Sequence, residues 1–233
     1  MARLKGLSAN LNAVLDTLAW AEGTSTSPIT KDDGYDIIVT GLNGRGRTSD
    51  YREHPFVGPN ARELVQVNLK GLFSSAFGRY QIMRRDWPHY KALLKLPDIS
   101  PESQDRYAIQ VIRETHAIPL IEAGRFTEAV ALFAHLWASL PGKGYENQKQ
   151  RSIEDCCKSY QLKGGTLWNS LPDYSGASVP TSLPQLPQSS ESLDTANSNN
   201  AKANLTPTPQ TQPQTLSELF GTIMRWWKSK SKP

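Results

Sequence analysis

The chain changes character after Trp168, and that break decides what can fold. Residues 169–214 are dominated by Ser, Pro, Thr, Gln and Asn with hardly any large apolar side chains. Such a segment cannot bury enough surface to offset the entropy of ordering it, so it is expected to be a disordered linker. The core must therefore come from residues 1–168, enough for one sizeable domain. Residues 215–233 carry a separate signal: Thr215 to Glu218 has the form of a capping box. Leu216, Leu219, Phe220, Ile223 and Trp227 then share one helical face, and Arg225, Lys228, Lys230 and Lys232 crowd the end.

Within residues 1–168 the strongest periodic stretch is at the start. Leu7, Leu11, Val14, Leu15 and Leu18 recur at the spacing of a helix with one buried stripe, and one further turn lands on Glu22. Gly23 follows, the usual residue at a helix C-terminus. An acid thus sits in the last turn, at the edge of a core. Apolar surroundings and the negative end of the helix dipole both disfavour its charged form, raising its pKa toward the range useful for proton transfer. A glutamate at a helix end can equally snorkel to solvent or pair with an arginine. Trp20 can supply an apolar wall beside it, or simply pack.

The elements that follow are read more coarsely. Tyr35 to Thr40 reads as a strand entering a hairpin through the turn-rich GLNGRG, with a poorly defined second strand. The Gly-rich stretch lacks the GK[ST] ending of a phosphate loop and no helix pattern follows it. Ala61 to Leu69 looks extended, Ser74 to Met83 reads as the start of a helix, and Arg84 to Leu96 as turns interrupted by Pro88. Ser100 with Pro101 opens a clean helix, with Ala108, Ile109, Ile112 and His116 following its period. Leu120 to Ala123 leads into Gly124. Arg125 to Leu140 reads as one helix with Phe126, Ala129, Val130, Phe133, Leu136 and Trp137 on one face, so Trp137 is assigned to the core. Ser152 to Leu162 is the last helix, ended by Gly164 and Gly165. A mainly helical domain with a small sheet follows, not an α/β repeat.

Charge and residue inventory exclude several chemistries. A net charge of +4 is compatible with an anionic partner such as nucleic acid, cell-wall polymer or lipid, and does not choose among them. Cys156 and Cys157 are the only cysteines and are adjacent, which rules out a disulfide framework. His54, His89, His116 and His135 show no ligand spacing, disfavouring a zinc amidase. No nucleophile block of the G-x-S-x-G kind supports a peptidase. The N-terminus lacks the apolar run of a secretory signal, and no stretch approaches the roughly eighteen apolar residues of a membrane span. Synthesis in the cytoplasm without a signal peptide is expected.

Six blocks carry a resemblance. They are AWAEGT at Ala19 to Thr24, GYDIIV at Gly34 to Val39, DYREHP at Asp50 to Pro55, GRYQ at Gly78 to Gln81, SPESQD at Ser100 to Asp105 and LWASLPGKGY at Leu136 to Tyr145. Together, in order from about Leu11 to Gly165, they resemble the phage lambda lysozyme (endolysin) family of lambdoid lytic transglycosylases. The resemblance implies an α+β, lysozyme-like fold: a mainly helical lobe and a small β-hairpin lobe around a glycan cleft. It implies peptidoglycan glycan strands as substrate, cut at the β-1,4 bond between N-acetylmuramic acid and N-acetylglucosamine. No cofactor, metal or nucleic-acid partner is implied, and a monomer is expected. The enzyme would reach peptidoglycan in the periplasm after release, through a holin, in phage or prophage lysis.

By the same resemblance Glu22 is the catalytic acid and base, because it occupies the acid of the AWAEGT block. A hydrolase normally uses two carboxylates. In a transglycosylase the sugar's own C6 hydroxyl attacks, so one carboxyl can suffice. Asp32, Asp33, Asp36 and Asp50 are candidate second carboxylates, although turns attract Asp for backbone hydrogen bonds anyway. A hydrolytic muramidase on the same fold is the alternative activity, and a non-catalytic wall or membrane binder the alternative class. Tyr35, Asp36, Gly78, Tyr80, Gln81 and Tyr145 are the expected substrate contacts, with Asn147 or Gln148 less defined because an extra residue separates Tyr145 from Gln148 relative to the family pattern. The hairpin loop GLNGRGRTS is also longer than the family's.

The resemblance does not reach the last residues. The organisation expected is a catalytic domain over 1–168, a linker over 169–214 and a basic amphipathic tail over 215–233. In that tail Phe220, Arg225, Trp226, Trp227 and Lys228 match an interfacial helix on anionic lipid or lipopolysaccharide. Docking on protein, or no role, are the alternatives.

Overall fold

The computed structural model describes residues 1–142 and 150–168. The expected linker, the tail with Phe220, Arg225, Trp226, Trp227 and Lys228, and the segment holding Tyr145, Asn147 and Gln148 lie outside the described residues.

Helix α1 spans Ala9–Ala21 and starts where Ser8 accepts a hydrogen bond from the Leu11 N–H at 3.1 Å. The expected stripe is present in Val14, Leu15 and Leu18, but burial is not confined to it. Ala13, Asp16, Thr17, Ala19 and Ala21 are buried too, because α1 runs through the centre of the domain. It packs against α3 (Pro101–Glu114), α4 (Ile118–Glu122) and α6 (Ile153–Leu162). The remaining helices are α2 (Trp87–Leu93) and α5 (Phe126–Phe133). One continuous core joins α1 to Ile99, Ile112, Ile121, Val130 and Tyr160.

The β part is small. Strand β1 (Ile37–Gly41) pairs antiparallel with β2 (Gly44–Arg47), with Thr40 opposite Arg45 and an irregularity between Ile37 and Thr40. The strand starts two residues later than expected, and the second strand, undefined in the sequence, is built of Gly and Arg alone. A second pair joins β3 (Val65–Gln66) to β4 (Phe73–Ser74). The far edge of β1 is held by Val39 N–H donating to Ala76 O at 3.0 Å and Gly78 N–H donating to Ile37 O at 2.7 Å.

Four readings of local structure are corrected. Ser74 to Met83 is not a helix: Phe77 and Ile82 exchange backbone hydrogen bonds, and the intervening turn places Gly78 and Gln81 at φ +78° and +51°. Neither value is helical. Pro88 does not interrupt α2 but sits in its first turn, where its missing N–H costs nothing. The helix from Arg125 stops at Phe133 and tightens into a 3-10 turn, after which Trp137 is extended, leaving Leu136 40% exposed. Trp137 is nevertheless buried, as expected, and His116 lies past the end of α3 at φ +61° rather than on its apolar face. Among the described residues no helix is long and apolar enough to cross a membrane.

The lobes are tied by buried polar groups on α3. Asp105 accepts four hydrogen bonds: from Tyr35 Oη at 2.7 Å, Tyr80 Oη at 2.6 Å, and the Arg3 and Leu4 N–H groups at 2.6 and 2.8 Å. Asp105→Ala would leave four buried or half-buried donors without their acceptor and should cost at least about 3 kcal/mol of stability in urea unfolding. Asp105→Asn, which keeps one acceptor oxygen, should lose less.

Candidate active site

Chain termination of α1 builds the site. Glu22 is its C-cap, with its N–H donating to Leu18 O at 2.9 Å, and Gly23 turns the chain at φ +67°, a left-handed conformation natural to glycine. Thr24 is buried, and its hydroxyl reaches Ala19 O at 3.1 Å and Arg79 O at 2.7 Å. The end of α1 is thereby fastened to the Gly78–Gln81 turn.

The Glu22 side chain is partly buried and accepts a 2.6 Å hydrogen bond at Oε1 from the Ser139 hydroxyl. Burial pushes its pKa up from the ordinary 4.5, the hydrogen bonds of Ser139 pull it part of the way back, and the Arg45 charge adds to that pull. The net shift is upward, as expected of a carboxyl held for proton transfer. Ser139 is positioned in turn. The Arg151 N–H donates to Ser139 O at 2.8 Å, and Trp137, two residues earlier, donates from Nε1 to Tyr80 O at 2.9 Å. Arg151 also lies 4.4 Å from the centre of the Trp20 ring, a cation–π contact.

Most of the expected sugar contacts serve the frame instead. Tyr35 and Tyr80 are 0% and 1% exposed, with both hydroxyls committed to Asp105, so they support the cleft wall rather than line it. Asp36 is 1% exposed; its oxygens accept from the Thr30 hydroxyl at 2.6 Å and the Lys31 N–H at 2.9 Å, closing the loop before β1. Gly78 is buried, and a Cβ there would lie 2.1 Å from Gln104 Oε1, so its role is to let α3 approach. Gln81 alone of the described set keeps partial exposure; its amide donates to Gly78 O at 3.0 Å.

The other candidate carboxylates have partners of their own. Asp32 accepts from Tyr51 Oη at 2.8 Å and pairs with Arg3 at 2.9 Å, while Asp33 pairs with the buried Arg79 at 2.7 Å. Asp50 is exposed and bound by Arg52, whose hydrogen bonds hold its pKa down to about 2. An open hollow near Asp50 is lined by Ser49, Tyr51, Arg52, Pro97 and Asp98 and does not include Glu22. Among the described residues no group of three His, Cys, Asp or Glu is placed to hold a metal.

The family model described as Endolysin matches residues 12–167. The endolysin of Escherichia phage P2 is 47% identical over 157 residues, covering 67% of this chain and 93% of that protein. The endolysin of Escherichia phage lambda is 40% identical over 156 residues, 66% and 91%. The chain belongs to the Endolysin family. Its fold is that of bacteriophage lambda lysozyme: a structure of that enzyme complexed with a chitohexasaccharide superposes with a TM-score of 0.62 at 38% identity, covering 70% of this chain and 99% of that one. A second lambda lysozyme structure gives 0.60 at 35% identity, with the same coverage. The lysozyme-like fold expected from the six blocks is therefore present.

Residue-level reasoning missed Arg45, Ser139, Arg151 and the Gln104–Asp105 pair. Ser139 and the Gln104–Asp105 pair stand inside the resembling blocks, within stretches whose sequence reads as helix. Arg45 had no such marker.

A raised carboxyl pKa has a stability signature. The folded state binds the Glu22 proton more tightly than the unfolded chain, so stability falls as pH rises from about 4.5 through the folded value. Glu22→Gln should therefore raise the melting temperature at pH 7, and the gain should vanish at pH 4.

Proposed function

We propose that this chain degrades bacterial peptidoglycan by lytic transglycosylation, with Glu22 as both acid and base. The observation that carries this reading is a carboxyl of raised pKa, held at the end of α1 by Ser139, while Asp32, Asp33, Asp36 and Asp50 are each engaged by other protein groups. The lambda lysozyme structure with a chitohexasaccharide supports a β-1,4-linked aminosugar strand as ligand.

In the first step Glu22 gives its proton to the oxygen linking muramic acid C1 to the glucosamine C4, and that C–O bond breaks with the electron pair leaving on oxygen. In the second, the muramic C6 hydroxyl forms a bond to C1 and its proton passes to the Glu22 carboxylate. The acid is regenerated, no water is consumed, and a 1,6-anhydromuramoyl end remains. Burial suits the first half of this cycle because it keeps the proton on Glu22 until the leaving oxygen needs it. Holding the nucleophile within the same sugar replaces the second carboxylate of a hydrolase. Gln81 and Tyr145 are the residues we retain as sugar contacts.

Mass spectrometry of digested peptidoglycan tests the reaction type. Anhydro ends are expected; reducing muramic ends would identify a hydrolytic muramidase, and uncut glycan a binder. Glu22→Gln should lower glycan cleavage at least about a hundredfold, the usual contribution of a positioned acid and base.

We further infer that residues 215–233 contact anionic lipid or lipopolysaccharide, on the strength of Trp226, Trp227 and the surrounding basic side chains, and that the protein acts on the wall from the periplasm after release through a holin. Removing residues 216–233 should weaken sedimentation with phosphatidylglycerol vesicles while leaving cleavage of isolated peptidoglycan intact. Undiminished vesicle binding would remove the tail from this role.

A further inference from the structure

Arg45 is held in a way that its neighbours in the hairpin are not. It comes from β2, directly opposite Thr40, and its Nε donates to Thr40 Oγ1 at 2.5 Å while Nη1 donates to Gly23 O at 2.8 Å. Gly23 is the residue next to Glu22. Both acceptors are neutral, whereas Arg47, two residues on, faces the carboxylate of Asp36 at 3.5 Å. The Arg45 guanidinium is thus oriented by two fixed bonds without having its charge cancelled by them.

We propose that Arg45 is the positioning residue for Glu22: fixed between the hairpin and the end of α1, it supplies the counter-charge to the carboxylate that Glu22 becomes when it gives up its proton. The inference rests on the assignment of Glu22 as the acid. A guanidinium stays charged throughout the pH range in which a carboxyl titrates, so its field is constant through the cycle. While it carries its proton Glu22 gains little from that field. As the proton leaves, negative charge grows on Oε1 and Oε2 in a partly desolvated site, and a cation already in place stabilises that change without having to reorganise. The opposing influences of burial and Arg45 on Glu22 fit this division, as does the reciprocal one: burial pulls the Arg45 pKa down and the Glu22 charge pushes it back.

Other groups around Glu22 do not substitute for Arg45. Ser139 is a neutral donor. Arg151 is spent on the Trp20 ring and lies 3.4 Å from Trp20 O, two residues before Glu22. On α1 itself, the acidic Asp16 pairs with the buried Arg79 at 2.6 Å.

The test uses the full chain as wild type, Arg45→Gln and Arg45→Lys. The side-chain carboxyl of Glu22 is titrated by carbon-13 NMR, and glycan cleavage is followed as kcat and KM across pH. In Arg45→Gln the Glu22 titration and the basic limb of the rate profile should both move to higher pH, and kcat at the optimum should fall on the order of tenfold with KM little changed. Arg45→Lys should keep most of the titration midpoint. An unmoved Glu22 titration in Arg45→Gln would overturn the proposal, as would equal losses in both variants with the pH limb unchanged, the mark of a merely structural arginine. A titration that moves while the rate profile does not would support the electrostatic coupling of Arg45 to Glu22 and instead overturn Glu22 as the acid.

Discussion

The site depends on two consecutive side chains of α3. Gln104 accepts the Arg79 N–H at 2.9 Å through Oε1 and donates from Nε2 to Tyr35 O at 3.1 Å and Ile99 O at 3.0 Å; Asp105, next along, gathers Tyr35, Tyr80 and the N-terminal backbone. Both are fully buried. A buried amide and carboxylate are tolerated only when their bonding capacity is filled, and here it is filled by groups from four separate segments. The partnership is possible because Gly78 has no side chain to meet Gln104. Through Arg79 O and Thr24 the same cluster reaches the end of α1, so the position of Glu22 is fixed by polar contacts as much as by hydrophobic packing.

That arrangement explains how one carboxyl can be both desolvated and useful. Deeper within the core, burial would disfavour its charged form further. At the C-cap it keeps partial exposure, and each of its influences comes from a different element: burial from the core around α1, the Ser139 hydroxyl from the segment after α5, the Arg45 charge from β2. Negative helix-end carbonyls receive both nearby arginines, Arg45 at Gly23 O and Arg151 near Trp20 O. Cations therefore collect around the acid without forming a direct salt bridge that would strip it of its proton.

What could be read from the residues alone follows the range of the forces involved. The run of α1, its end at Gly23, the starts of α3 and α6 and the assignment of Trp137 to the core are local or periodic, and all are present in the structure. Ser74 to Met83 misled because its apolar spacing imitates a helix while Gly78 and Gln81 take left-handed backbone under tertiary control. Pro88 misled because proline reads as a break unless the helix start is known. Tyr35, Asp36 and Tyr80 are polar residues in recognised blocks, and polarity alone could not separate a sugar contact from a buried bond to Asp105 or to the Thr30 loop. That distinction requires contacts across some seventy positions in the chain, such as Tyr35 to Asp105 at a separation of 70. The stretch that places Glu22 at the end of α1 is legible in the sequence; the groups that hold its side chain are not.

The frame residues and the acid have different tolerances. Asp105 and Gln104 answer to many partners at once, so a change at either must be absorbed by several buried donors and acceptors. Arg45 lies opposite Thr40 on a two-strand hairpin, bonds the Thr40 hydroxyl within that hairpin and reaches the end of α1 through the Gly23 carbonyl. The turn and the mostly exposed β2 can change without disturbing the core, because β1 carries the buried Ile37 and Ile38 and is anchored on its other edge through Val39 and Gly78. The Arg45 charge that acts on Glu22 thus comes from the exposed strand of the hairpin and not from the buried cluster. Proton affinity at the site can then be retuned from the hairpin while the buried cluster under it stays fixed.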